Sequence, residues 1–117
     1  MERIAFLNKN PKRWDLWWAD VAYEEHPGSK IRPVLIYNCE TAYIISFKIT
    51  THPPRPYDDG EYLINLWEEA GLNRRSTVRC SKKLCLTELD MVEKIGELHP
   101  TDIKEVRKIL QRMYAEE

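Results

Sequence analysis

A mainly β domain (α+β), its short strands bent into a small barrel and packed by one C-terminal helix, is what this sequence predicts. Two observations carry the expectation. Short runs rich in Val, Ile, Tyr and Trp are set off by turn residues, a pattern of strands rather than helices. Only the last segment has helical spacing, with Ile103, Val106, Leu110 and Met113 recurring as one apolar stripe.

The elements follow in order. Residues 1–13 form an expected N-terminal arm, with Ile4, Phe6 and Leu7 docking on the domain and Pro11-Lys12-Arg13 marking its edge; residues 14–117 form the domain itself. Leu16–Val21 reads as a first strand rich in indole, and Ala22–Ile31 as a polar loop turned by Pro27-Gly28. Pro33–Asn38 and Tyr43–Ile49 are expected to be a hairpin joined by Asn38-Cys39-Glu40-Thr41. Thr51–Gly60 carries three prolines and reads as a long loop, a feature that is often functional in a compact domain. Glu61–Ile64 fits a fourth strand, Trp67–Ala70 a helical turn closed by Gly71, Ser76–Cys80 a fifth strand and Met91–Leu98 a sixth. Pro100 suits a first helical position, with Asp102 adding negative charge in the first turn and His99 a mediocre N-cap.

Composition narrows the function classes. A chain of 117 residues makes one domain. Its 18 basic and 19 acidic side chains exclude a uniformly basic nucleic-acid binder, so contact with a polyanion must come from local segregation of charge. No run approaches a membrane span, and the N-terminus lacks a secretory pattern. Cys39, Cys80 and Cys85 are odd in number and form no CxxC pair, which points to reduced thiols in a cytoplasmic protein with neither disulfide frame nor zinc site. The acids come as adjacent pairs, Glu24-Glu25, Asp58-Asp59 and Glu68-Glu69, rather than as converging metal ligands, so neither metal nor cofactor is expected.

The most informative stretch is Ser29–Ile36, which drops Arg32-Pro33 from a polar loop into an apolar run. Proline is tolerated at the first residue of a strand and pushes the preceding residue into extended backbone. Arg32 is therefore expected at the loop–strand junction, where its fork of donors suits a phosphate.

Around it stands an ordered series: Asp15-Leu16-Trp17-Trp18-Ala19-Asp20-Val21, Ser29–Ile36, Tyr43–Thr50, Ala70-Gly71-Leu72, Ser76-Thr77-Val78-Arg79-Cys80 and Ile95-Gly96-Glu97-Leu98 before the helix. In order and spacing this resembles the MazF/PemK (Kid-like) family of type II toxin–antitoxin mRNA interferases, from about Asp15 to Leu110. The resemblance implies an SH3-like barrel of the CcdB/MazF/PemK type with a C-terminal helix, assembled as a homodimer. It implies a metal-independent, sequence-specific endoribonuclease that cleaves single-stranded mRNA through attack of a 2′-hydroxyl, leaving 2′,3′-cyclic phosphate and 5′-hydroxyl ends. A cognate antitoxin protein would silence it, and DNA would be met only through the antitoxin complex.

The resemblance also implies site residues. Arg32 matches the family's catalytic arginine, and Thr50 the hydroxyl that contacts the scissile phosphate. His26 stands six residues before Arg32, the spacing of a histidine implicated in the Kid/PemK branch. Arg79 matches the arginine proposed there as acid, but Ser81 stands where that branch has its basic aspartate. Ser29, Lys30, Lys48, His52, Arg55 and Ser76 are expected to bind RNA, while Trp17 and Trp67 are expected to be buried. Two alternatives remain: a gyrase poison on the same barrel, although this chain ends Tyr114-Ala115-Glu116-Glu117 rather than in that toxin's Trp-Gly-Ile, and a barrel that binds without cleaving.

Overall fold

The computed structural model describes residues 9–115. The expected docking of Ile4, Phe6 and Leu7 lies outside those residues. Six strands form one antiparallel sheet in the order β4-β5-β3-β2-β1-β6. They are β1 (Asp15–Ala22), β2 (Ser29–Asn38), β3 (Ile44–Thr50), β4 (Glu61–Leu63), β5 (Thr77–Leu86) and β6 (Met91–Glu97). A 3₁₀ turn, Glu88–Asp90, precedes β6, and the helix α1 (Pro100–Met113) ends the fold. No helix among the described residues is long and apolar enough to cross a membrane.

The expected barrel is corrected in one respect: β4 and β6 remain the two edges of the sheet and do not pair with each other. The largest break in pairing lies where β3 changes its register on β5. Phe47 opposes Lys83 but Lys48 opposes Arg79, so residues 80–82 are thrown out as a bulge. Below the bulge β5 also pairs with β4, placing Glu61 opposite Arg79.

Alternation along the strands divides the side chains between two faces. Leu16, Leu35, Phe47, Ile49, Val78 and Cys80 form the larger core, closed by Val106 and Leu110 of α1. Each fully buried Leu or Phe there contributes about 1.5–3 kcal/mol of hydrophobic stabilisation. The opposite face carries a smaller cluster of Trp17, Ala19, Val21, Val34, Ile36 and Met91. Trp17 is buried, with its indole N–H donating to Asp15, whereas Trp67 is only partly buried against the larger core.

Two glycines bring a turn against β6. Leu72 N donates to Trp67 O and Gly71 N to Glu68 O, the paired bonds of a Schellman closure with Gly71 at φ +97°. A Cβ on Gly71 would stand 2.6 Å from Ile95 O, and one on Gly96 only 2.0 Å from Ala70 O. The Gly-Leu and Ile-Gly segments of the sequence are thus two sides of one backbone contact.

The helix is anchored at both ends. His99 Nδ1 accepts from Thr101 N at 3.1 Å, so the histidine does cap α1. Asp102 is fully buried and accepts from Tyr62 Oη at 2.5 Å and from the backbone N–H groups of Asn65 and Leu66, both at 2.9 Å. Burial and that carboxylate raise the Tyr62 phenol well above its ordinary value. At the other end Arg112 donates to Asp59 O at 2.8 Å, tying α1 to the long loop.

Candidate active site

A proline opens the site. β2 pairs with β3 only from Val34 onward, opposite Lys48, while Ser29–Pro33 pair with β1 alone. Pro33 has no N–H to give β3, so the ladder ends there while β3 continues to Thr50 beside β5. The parted strands leave a 240 Å³ cavity lined by Lys30, Arg32, Pro33, Thr50 and Ser76 among others. It adjoins a 400 Å³ cavity lined by His26, Arg32, Lys48, Thr50, Arg55 and Arg79. Arg32 is the fourth residue of β2 rather than its start, because the strand begins at Ser29. Its extended backbone matches the expectation; its position at a loop–strand junction does not.

Alternation brings these side chains to one face. Arg32 lies two residues before the buried Val34, which opposes Lys48, and Lys48 in turn opposes Arg79. Thr50 is two residues beyond Lys48, and Glu61 is opposite Arg79. A charged row therefore continues the smaller apolar cluster across four strands.

Partners distinguish the cations. Arg79 Nε donates to Glu61 Oε2 at 2.7 Å, and Arg55 Nη1 donates to the same oxygen at 2.8 Å. Arg55 N donates to the other Glu61 oxygen at 2.8 Å. Lys48 Nζ meets Glu24 at 2.6 Å and Lys82 meets it at 3.3 Å, which holds the β1–β2 loop over the sheet and lowers the Glu24 carboxyl. The Arg32 side chain has no hydrogen bond or ion pair among the described residues. An unpartnered guanidinium in a cleft is the group most available to an incoming anion.

The Thr50 hydroxyl oxygen accepts from His52 N at 3.1 Å, which leaves its proton free to donate. The His26 ring lies 4.4 Å from that of Tyr23, and its Nδ1 is 3.1 Å from Pro27 O. This tilted ring contact and Gly28, at φ +104°, shape the loop that carries the histidine into the larger cavity.

Ser29 lines neither cavity, and His52 turns its Nδ1 to Pro53 O at 2.6 Å. The Ser76 hydroxyl donates to Arg74 O at 2.8 Å, so only its lone pairs face the smaller cavity. Ser81 donates to Asp58 Oδ2 at 2.9 Å, bringing a loop carboxylate to this end of β5. No group of three or more His, Cys, Asp or Glu side chains among the described residues is arranged to hold a metal. Glu61 and Glu24 hold Arg55, Arg79 and Lys48, a role the sequence does not mark. The one signal for Glu61 was a glutamate in a strand, a residue type depleted there.

The profile of a family described as the PemK-like, MazF-like toxin of type II toxin–antitoxin systems matches residues 12–114. No curated protein sequence matches the chain. Among solved structures, an endoribonuclease in complex with its cognate antitoxin, from a mycobacterial species, superposes with a TM-score of 0.72. It is 16% identical over 90% of this chain and 95% of its own. A second mycobacterial endoribonuclease gives 0.69 at 15% identity, covering 90% of this chain and 91% of that one. The Mycobacterium tuberculosis toxin MazF-mt6 gives 0.62 at 22% identity, over 84% and 96%. At these identities the likeness is one of fold.

Proposed function

This chain belongs to the PemK-like, MazF-like toxins of type II toxin–antitoxin systems, and from that premise we propose that it is an endoribonuclease cleaving single-stranded RNA at the cavity of Arg32 and Thr50. The observation that carries the proposal is the free guanidinium of Arg32 beside the Thr50 hydroxyl in a cleft whose other cations are held by carboxylates.

The chemistry follows from what each group offers. A base takes the proton from a 2′-hydroxyl, and the oxygen attacks the adjacent phosphorus as the bond to the 5′-oxygen breaks. The products are a 2′,3′-cyclic phosphate and a 5′-hydroxyl end. Arg32 stabilises charge on the phosphoryl oxygens, for which a permanently charged fork is suited and a proton acceptor is not. Thr50 adds a neutral donor. Glu61, Glu24 and Asp58 are all held below the ordinary carboxyl range by their partners and are poor bases. His26 lines the same cavity and is of the residue type best suited to move a proton, and we assign it the base. Arg79 gives its Nε–H to Glu61 and acts as a second phosphate donor rather than as an acid; water protonates the departing oxygen.

Lys30, Lys48 and Arg55 extend the positive face for flanking phosphates. The cognate antitoxin of the mycobacterial relative supports a protein antitoxin as partner here. A cytoplasmic homodimer completes the reading. The test is a defined RNA incubated with pure protein in EDTA, followed by analysis of the fragment ends. Cyclic phosphate and 5′-hydroxyl termini are expected; intact RNA, or 5′-phosphate ends, would overturn the proposal.

A further inference from the structure

Trp18 lies at the junction of two cavities, and neither the family match nor the fold assigns it a role. It is the residue after the buried Trp17, so its indole belongs to the opposite face of the sheet, where it is only half-buried. It opposes Pro33 on one side and Glu93 on the other. With Pro33, Thr51 and Ser76 it lines both the 240 Å³ cavity of Arg32 and a separate 440 Å³ cavity under the Gly71 turn. That second cavity adds Asn73, Arg74 and Glu93, and its wall is the glycine-dependent contact between the turn and β6. The gap left by Pro33 thus joins the phosphate site on one face to an indole on the other.

We propose that this second cavity is a nucleotide subsite, in which the base next to the scissile phosphate stacks on Trp18. The inference rests on the endoribonuclease reading and specifies its substrate: single-stranded RNA with a base unstacked from its neighbour. Unpaired bases are held in this way, by an aromatic platform together with polar groups at the base edge. Asn73 offers both donor and acceptor, and Glu93 an acceptor, to that edge. Arg74, which has no ion pair among the described residues, supplies positive charge for the nucleotide's own phosphate.

The test uses the full chain. Wild-type protein first cleaves a random-sequence RNA pool, and the cut sites are mapped. One mapped site is then made uncleavable by a 2′-deoxy substitution at the attacking nucleotide, with 2-aminopurine placed at each flanking position in turn. Quenching confined to one position beside the cut is expected, with loss of that quenching in Trp18→Leu. Cleavage of the preferred site by Trp18→Leu should fall by about 10–100-fold in kcat/KM, with the base preference at that position flattened. Trp18→Phe should keep the preference, which separates stacking from a merely structural role and serves if Trp18→Leu does not fold. If wild-type protein cuts nothing in the pool, the endoribonuclease reading fails. Wild-type cleavage with no quenched position, or an unchanged preference in folded Trp18→Leu, would overturn the subsite alone.

Discussion

Arg79 and Glu61 face each other across β5 and β4, with the guanidinium Nε 2.7 Å from the carboxylate. The Glu61 side chain is wholly buried, and burial alone would raise its carboxyl; the Arg55 backbone N–H and the guanidiniums of Arg79 and Arg55 outweigh this and lower it. One glutamate therefore fixes a strand arginine and also the loop of residues 51–60 that overhangs the site.

Glu61→Gln should accordingly cost about 2–3 kcal/mol, somewhat below the roughly 3–5 kcal/mol of a fully buried pair because both guanidiniums keep some solvent. The pH dependence has a definite sign. The carboxyl lies below its ordinary 4.5 in the folded protein, so its contribution is complete above that pH and is lost as pH falls through the folded value. Urea unfolding should show a wild-type advantage at neutral pH that shrinks in acid. An advantage independent of pH would contradict the assignment.

Glu24 pairs with Lys48 and Lys82, and under the proposed function it competes with RNA for them. Glu24→Gln should tighten binding of an uncleavable RNA by about 2–5-fold, the scale of an exposed ion pair. It should also steepen the salt dependence of binding, since two more cations become available to phosphates. Weaker binding in the variant would mean that Glu24 organises the loop rather than masking the lysines.

Gly96→Ala places a methyl group against Ala70 O, with backbone on both sides and no flexible side chain to give way. A loss of about 2–3 kcal/mol is expected, the upper range of overpacking. Chemical denaturation would measure it, and a change within about 0.5 kcal/mol would show that the turn can move away from β6.

Much of this fold was legible because the central strands are apolar on one or both sides. Leu16, Trp17 and Val21 identified β1, and the run ending in Ile49-Thr50 located β3 and its last residue. Where no side is buried the pattern is silent: residues 29–31 are all exposed, so β2 began earlier than expected and Arg32 fell inside it. β5 likewise runs on to Leu86 through residues 81–85, none of them buried. Asp102 was read as a helix-dipole charge, yet it serves as a buried acceptor for Tyr62, Asn65 and Leu66, partners that lie 36 to 40 residues away in sequence. The Arg55–Glu61–Arg79 cluster was hidden for the same reason, since pairing across β4 and β5 is a property of register.

Among the candidate site residues, His26 carries the base assignment. His26→Gln should lower single-turnover cleavage by about 10²–10⁴-fold. A rate within a few-fold of wild type would place the base elsewhere and leave the histidine as a ring contact of Tyr23.

The central claim is that Arg32 acts on the phosphate in the transition state, and Arg32→Lys tests it most directly. The substitution keeps the charge and removes the planar fork. Loss of a preorganised donor costs about 10²–10³ in rate, whereas affinity is spread over several phosphate contacts. Single-turnover cleavage of a mapped RNA in EDTA should therefore fall at least about 100-fold, while binding of its uncleavable 2′-deoxy counterpart changes by no more than a few-fold. Cleavage at near wild-type rate by a folded Arg32→Lys protein would contradict the account.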